Sequence, residues 1–175
     1  ETLARVSARR QLPIDVVALV VAEVCDGLDA AHELRDVGGA PLGIVHRDVS
    51  PQNVMLSYQG EVKLLDFGVA KLESAHLTKT GDVKGKIAYM SPEQAMSEKL
   101  DRRSDLYGVG ALLFELVAGR RMWSGETDVE LIRQLALGAP PSLADAAPDA
   151  PHAIVDRAAL DDAPLAPRQV ASAGG

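Results

Sequence analysis

The stretch from 104 to 118 is apolar around most of a helix's circumference, with Leu106, Val109, Leu112, Leu113, Leu116 and Val117 leaving no continuous polar face. A helix of that kind has to be enclosed, so the rest of the chain must fold around it. Ser104 is placed to cap its start and Gly119 to stop it. A second long helix is expected from 13 to about 34. There Val16, Val17, Leu19, Val20, Val24, Leu28 and Ala31 recur at helical spacing, and Pro13 falls near the first turn. With 175 residues, 47% of them hydrophobic, the chain can build one core, so one domain or part of one is expected.

The connecting segments look shorter and more varied. Gly38-Gly39-Ala40-Pro41 should end the first long helix, and the β-branched Ile44-Val45 suggests a short strand. Apolar runs at 54–56 and 62–65 flank Ser57-Tyr58-Gln59-Gly60-Glu61, the pattern of a small hairpin. This reading puts two polar clusters, 46–53 and 66–68, at opposite ends of the paired strands. Residues 72–89 keep no period and are rich in Thr, Gly and Lys, which marks a long loop. A shorter amphipathic helix is expected at 129–137 and another at 154–160, within an Ala/Pro-rich part from 139 to 175. The fold class is mainly α with short β-hairpins.

Composition excludes some functions. A net charge of -7 without clustered Lys and Arg argues against nucleic-acid binding, which needs phosphate neutralisation. The most apolar stretch, 14–28, is interrupted by Asp15, Glu23 and Asp26 and falls short of the roughly 20 clean residues of a membrane span. The lone Cys25 has no disulfide partner and is expected to pack in the core in a reducing compartment, so a cytoplasmic location is expected. The chain opens on Glu1 with no charged-then-apolar leader, and its start looks like a cut.

The chemistry is concentrated in three motifs. His46-Arg47-Asp48 is followed by Asn53, then by Asp66-Phe67-Gly68, then by Ser91-Pro92-Glu93. Any one Asp or Asn could simply form a turn. The fixed residues of the first two motifs together have a chance of on the order of one in 10⁹ per starting position if residue types were equally common. They are the signature set of protein kinases. Over nearly its whole length the chain resembles the C-terminal lobe of a eukaryotic-like (Hanks-type) bacterial Ser/Thr protein kinase. By that resemblance 1–175 is a partial kinase domain: 44–68 holds the catalytic loop to the Asp-Phe-Gly motif, 69–93 the activation segment and 104–118 the buried helix.

The resemblance implies transfer of the γ-phosphate of ATP to Ser or Thr hydroxyls of protein substrates, with Mg²⁺ as the metal and Mn²⁺ able to replace it. It makes Asp48 the base and Asn53 and Asp66 the metal and nucleotide ligands, hard oxygens of the kind Mg²⁺ takes. Met55 would lie beneath the adenine and Glu1 would reach the ribose. His46 and Phe67 would stack in an apolar column anchored by Asp105. Arg47 and Lys71 would form a basic pocket for a phosphate on Thr78 or Thr80. Pro51, after Ser50, favours Ser/Thr over Tyr specificity.

Several positions depart from the family pattern. Ser50 stands where Ser/Thr kinases usually carry a phosphate-contacting Lys, and Lys86 follows Gly85 where they usually carry Thr. The two departures look like one exchange, with Lys86 supplying the cation and Ser50 the hydroxyl. The Arg that usually pairs with Glu93 corresponds only loosely to Arg168, which follows Pro167 rather than preceding a Pro. No Gly-rich loop, strand Lys or partner Glu is present, so the N-terminal lobe is expected as a missing partner. The isolated piece is expected to be nearly inactive and to expose an apolar face. The alternatives to an enzyme are a pseudokinase-like binding module or a truncated remnant.

Overall fold

A computed structural model of the chain describes residues 1–67, 82–151 and 154. Its centre is α5 (Arg102–Ala118), which packs along α2 (Ile14–His32). The α2 stripe of Val17, Val20, Val24 and Leu28 closes on Val109, Leu112, Phe114, Leu116 and Val117 of α5. That stripe is narrower than the spacing suggested, since Leu19 is 56% exposed. Cys25 is partly buried against this core, as expected.

The expectation of a helix enclosed all round does not hold for α5, which keeps Leu106 and Gly110 exposed. Leu106 is 53% exposed, whereas Ser104 and Asp105 are buried. At the start of the helix the inward face carries polar groups, Ser104 bonding to Glu93 and Asp105 to His32 and the 46–53 loop, and the apolar Leu106 faces outward. Ser104 is therefore not the cap. Asp101 is, with extended backbone and a side chain that accepts from Arg103 N. Gly119 does end the helix, in the left-handed conformation at φ 68°.

Helix α2 stops at His32, ahead of the glycines. Gly38 and Gly39 instead form a turn after it, in which Asp36 Oδ1 accepts from Gly38 N and Ala40 N. Ile44-Val45 is not a strand. It leads, without a ladder partner, into the buried His46.

The hairpin is present: β1 (Val54–Leu56) pairs antiparallel with β2 (Val62–Leu64), Val54 opposite Leu64. Antiparallel pairing puts the residue before β1 beside the residues after β2, and Leu65 N donates to Asn53 O at 2.7 Å. The two polar clusters thus sit at the same end of the hairpin, not at opposite ends. Helix α1 (Leu3–Ser7) lies against β1, with a bridge between Thr2 and Met55 and the side chain of Leu3 fully buried.

The part of 72–89 that is described is not all loop, because α3 spans Asp82–Ile87. It precedes α4 (Pro92–Ala95), whose start is closed by a capping box between Ser91 and Gln94. Helix α6 (Asp128–Leu137) matches the expected amphipathic segment and joins Ile87 and Trp123 through Leu131 and Leu135 in a second core. Helix α7 (Leu143–Ala146) caps the α5 side of the first. Of the helix expected at 154–160 only Ile154 is described. Among the described residues no helix is long and apolar enough to cross a membrane. The architecture is a helical, kinase-like lobe carrying one short hairpin.

Candidate active site

The loop 46–53 is held from below by Asp105. One of its carboxylate oxygens, Oδ2, accepts from His46 N at 2.8 Å, and the other, Oδ1, from Arg47 N at 2.7 Å. His32 Nε2 meets Oδ2 at 2.8 Å from the α2 side. A buried carboxylate is tolerable only when its lone pairs are used in this way. The anchoring of the loop at Asp105 therefore runs through backbone N–H groups. His32 is a partner that the sequence did not point to.

His46 links the two motifs. Its ring accepts from Asp48 N at Nδ1 (3.2 Å) and faces Leu65 O from Nε2 (3.0 Å), so the proton belongs on Nε2, where it donates to the carbonyl. Burial pushes the imidazole below its ordinary value of 6.5, which suits this neutral form. The ring also lies 4.6 Å from that of Phe67, tilted by 50°. His46 is fully buried but Phe67 is 36% exposed, so this end of the stack reaches the surface.

Asn53 Nδ2 donates to Asp48 O at 2.7 Å, which fixes the amide and turns Oδ1 the other way. Asp66 follows β2 at the same end of the hairpin, in a left-handed conformation at φ 53°. An amide oxygen and a carboxylate brought together on one hairpin end suit a hard cation such as Mg²⁺. No cluster of three or more His, Cys, Asp or Glu side chains that could hold a metal occurs among the described residues. A cation here would complete its shell from phosphate and water oxygens.

Asp48 has a cation at hand: Lys86 Nζ lies 2.6 Å from its Oδ2. Ser50 is fully buried, and its Oγ has no hydrogen-bond partner among the described residues. Arg47, at φ 68°, turns its guanidinium inward, with Nε and Nη1 buried and unpartnered among the described residues. Gln94 Nε2 donates to Arg47 O at 2.8 Å, tying the loop to α4. Gln94 is a second positioning residue that sequence reasoning missed, although the Ser-x-x-Gln capping-box spacing was legible.

Other expected residues fare differently. Met55 sits in β1 opposite Lys63. Glu1 is exposed. Its backbone pairs with Leu56, and its carboxylate accepts from Arg9 Nη1 at 3.2 Å. Glu93 accepts from Ser104 Oγ at 2.6 Å. Lys71, Thr78, Thr80 and Arg168 lie outside the described residues.

The protein kinase domain family matches residues 1–149. The chain belongs to the protein kinase family. It is 43% identical over 145 residues to the tyrosine-protein kinase MasK of Myxococcus xanthus, covering 82% of this chain and 22% of that protein. It is 39% identical over 127 residues to the serine/threonine-protein kinase PknL of Mycobacterium tuberculosis, covering 72% of this chain and 30% of the relative. With the probable serine/threonine-protein kinase PknB of Lactococcus lactis it shares 36% over 136 residues, covering 77% and 20%. The chain thus spans between a fifth and a third of the length of these kinases.

Proposed function

We propose that the protein of which these residues are part transfers the γ-phosphate of ATP to Ser or Thr hydroxyls of other proteins. The observation that carries this reading is the hairpin end: Leu65 N bonds Asn53 O, Asn53 Nδ2 bonds Asp48 O, and Asp66 follows directly. A base and two oxygen ligands on separate segments are thereby joined in one bonded unit. Phosphoryl transfer is mostly positioning and charge stabilisation, and such a unit supplies positioning.

Asp48 orients the substrate hydroxyl and accepts its proton as the oxygen bonds to the γ-phosphorus and the bond to the β-phosphate oxygen breaks, releasing ADP. Asn53 and Asp66 would hold Mg²⁺, which when bound offsets phosphate charge. Met55 on β1 faces the adenine in this reading. The 175 residues contain no Gly-rich phosphate loop, so the cover of the nucleotide comes from outside them. Names of relatives divide between serine/threonine and tyrosine. Pro51 in the loop, by resemblance, favours the former. We infer that the enzyme works on the cytoplasmic side.

The test is phosphate transfer from labelled ATP by the full-length protein to Ser-, Thr- and Tyr-containing peptides. Transfer to Ser or Thr that is abolished by Asp48→Asn is the expected result. Transfer to Tyr alone would overturn the specificity, and no transfer to any peptide would overturn the reading.

A further inference from the structure

Among the described residues, the cations within reach of the reacting groups are few. Within the loop 46–53 the basic side chain apart from His46 is that of Arg47, and its Nε and Nη1 are buried. Ser50 is fully buried and carries no charge. Lys86 is different. Its side chain is 31% exposed, and its Nζ contacts Asp48 Oδ2, which belongs to a side chain 12% exposed.

We propose that Lys86, delivered from α3, is the cation that serves the transferred phosphate in this enzyme. This rests on the reading of Asp48 as base. Charge in the transition state spreads over the phosphoryl oxygens, and an uncompensated carboxylate beside them would oppose it. An ammonium carries three N–H donors. One is spent on Asp48 and two remain for a phosphate oxygen and for the substrate hydroxyl. The stem is held because the next residue, Ile87, is fully buried in the core it shares with Trp123, Leu131 and Leu135. The turn continues through Tyr89 N to Lys86 O at 3.1 Å.

The base and its cation therefore come from different segments. The catalytic loop is electrostatically complete only when α3 is docked, so displacement of α3 removes the cation without disturbing Asp48. A lysine placed at position 50 would instead carry the charge within the loop.

The experiment uses the full-length protein. Lys86→Thr should lower kcat about a hundredfold, as loss of one transition-state donor does, with KM for ATP nearly unchanged. Adding Ser50→Lys should restore most of the loss. Binding of ADP, Mg²⁺ and aluminium fluoride, a planar phosphoryl mimic, should weaken about tenfold in Lys86→Thr while ADP and Mg²⁺ alone bind as before. The binding readout needs no turnover, so it separates this inference from the kinase reading, which Asp48→Asn tests. Unchanged kcat and mimic affinity in Lys86→Thr would overturn the proposal. A loss that neither Ser50→Lys nor Lys86→Arg relieves would also overturn it, since that would be the mark of a structural role.

Discussion

Asp105 Oδ1 lies 2.7 Å from Arg47 N, and its other oxygen is shared between His46 N and His32. One buried carboxylate on α5 therefore sets the start of the catalytic loop and fastens α2 to it. Asp105→Ala would strand two backbone donors in the interior. The expected cost is on the order of 3 kcal/mol, seen as a shifted urea midpoint. Asp105→Asn, which keeps one acceptor, should cost less. Equal stability of wild type and Asp105→Ala would contradict this anchoring role.

His46 makes stability depend on pH. Its folded value is pushed below the ordinary 6.5 chiefly by burial, so on acidification the unfolded chain takes up a proton that the folded one refuses. Its contribution is complete above about 6.5 and declines as pH falls from there toward the folded value. Thermal melts of the full-length protein between pH 7.5 and 5 should show Tm falling, and His46→Phe should flatten that part of the curve. An identical slope in the variant would exclude His46 as the cause.

Two glycines of α5 should respond in opposite ways. A Cβ on Gly108 would stand 3.0 Å from Val49 Cβ and 3.3 Å from Val49 O, beneath the catalytic loop, whereas Gly110 has nothing within 4 Å. Gly110→Ala should stabilise by about 0.5 to 1 kcal/mol through helix propensity. In Gly108→Ala that gain is offset by displacement of Val49, and kcat should fall because Asp48 moves with its neighbour. Activity and melting measurements on both variants check the contrast.

Gln94 holds Arg47 O and closes the box on Ser91. Gln94→Ala should cost about 1 kcal/mol and lower kcat more than it changes KM for ATP. Gln94→Glu retains the acceptor for Ser91 N but not the donor to Arg47 O. It should therefore recover stability before activity, and full recovery of both would show that the tether to Arg47 has no role.

The inward guanidinium of Arg47 supports the proposal that a phosphate on Thr78 or Thr80 docks against it. Phosphopeptide mapping of the active full-length protein should find one of them modified, and Thr78→Ala/Thr80→Ala should lower activity by tenfold or more. Two unmodified threonines in an active preparation would dismiss the proposal.

The sequence by itself determined what is local. The α2 and α5 periodicities, the hairpin around Gly60 and the motif residues all follow from spacing and turn chemistry over a few residues. The motifs were enough to place the chain among protein kinases. Tertiary structure decided what depends on a partner distant in sequence. Nothing near Ser104 says that it turns inward to Glu93, leaving Asp101 to cap α5 and Leu106 exposed. The end of the hairpin on which the polar clusters meet depended on antiparallel registry rather than on composition. That Lys86 meets Asp48 required α3 to be docked on its own core, a contact that spacing along the chain cannot express.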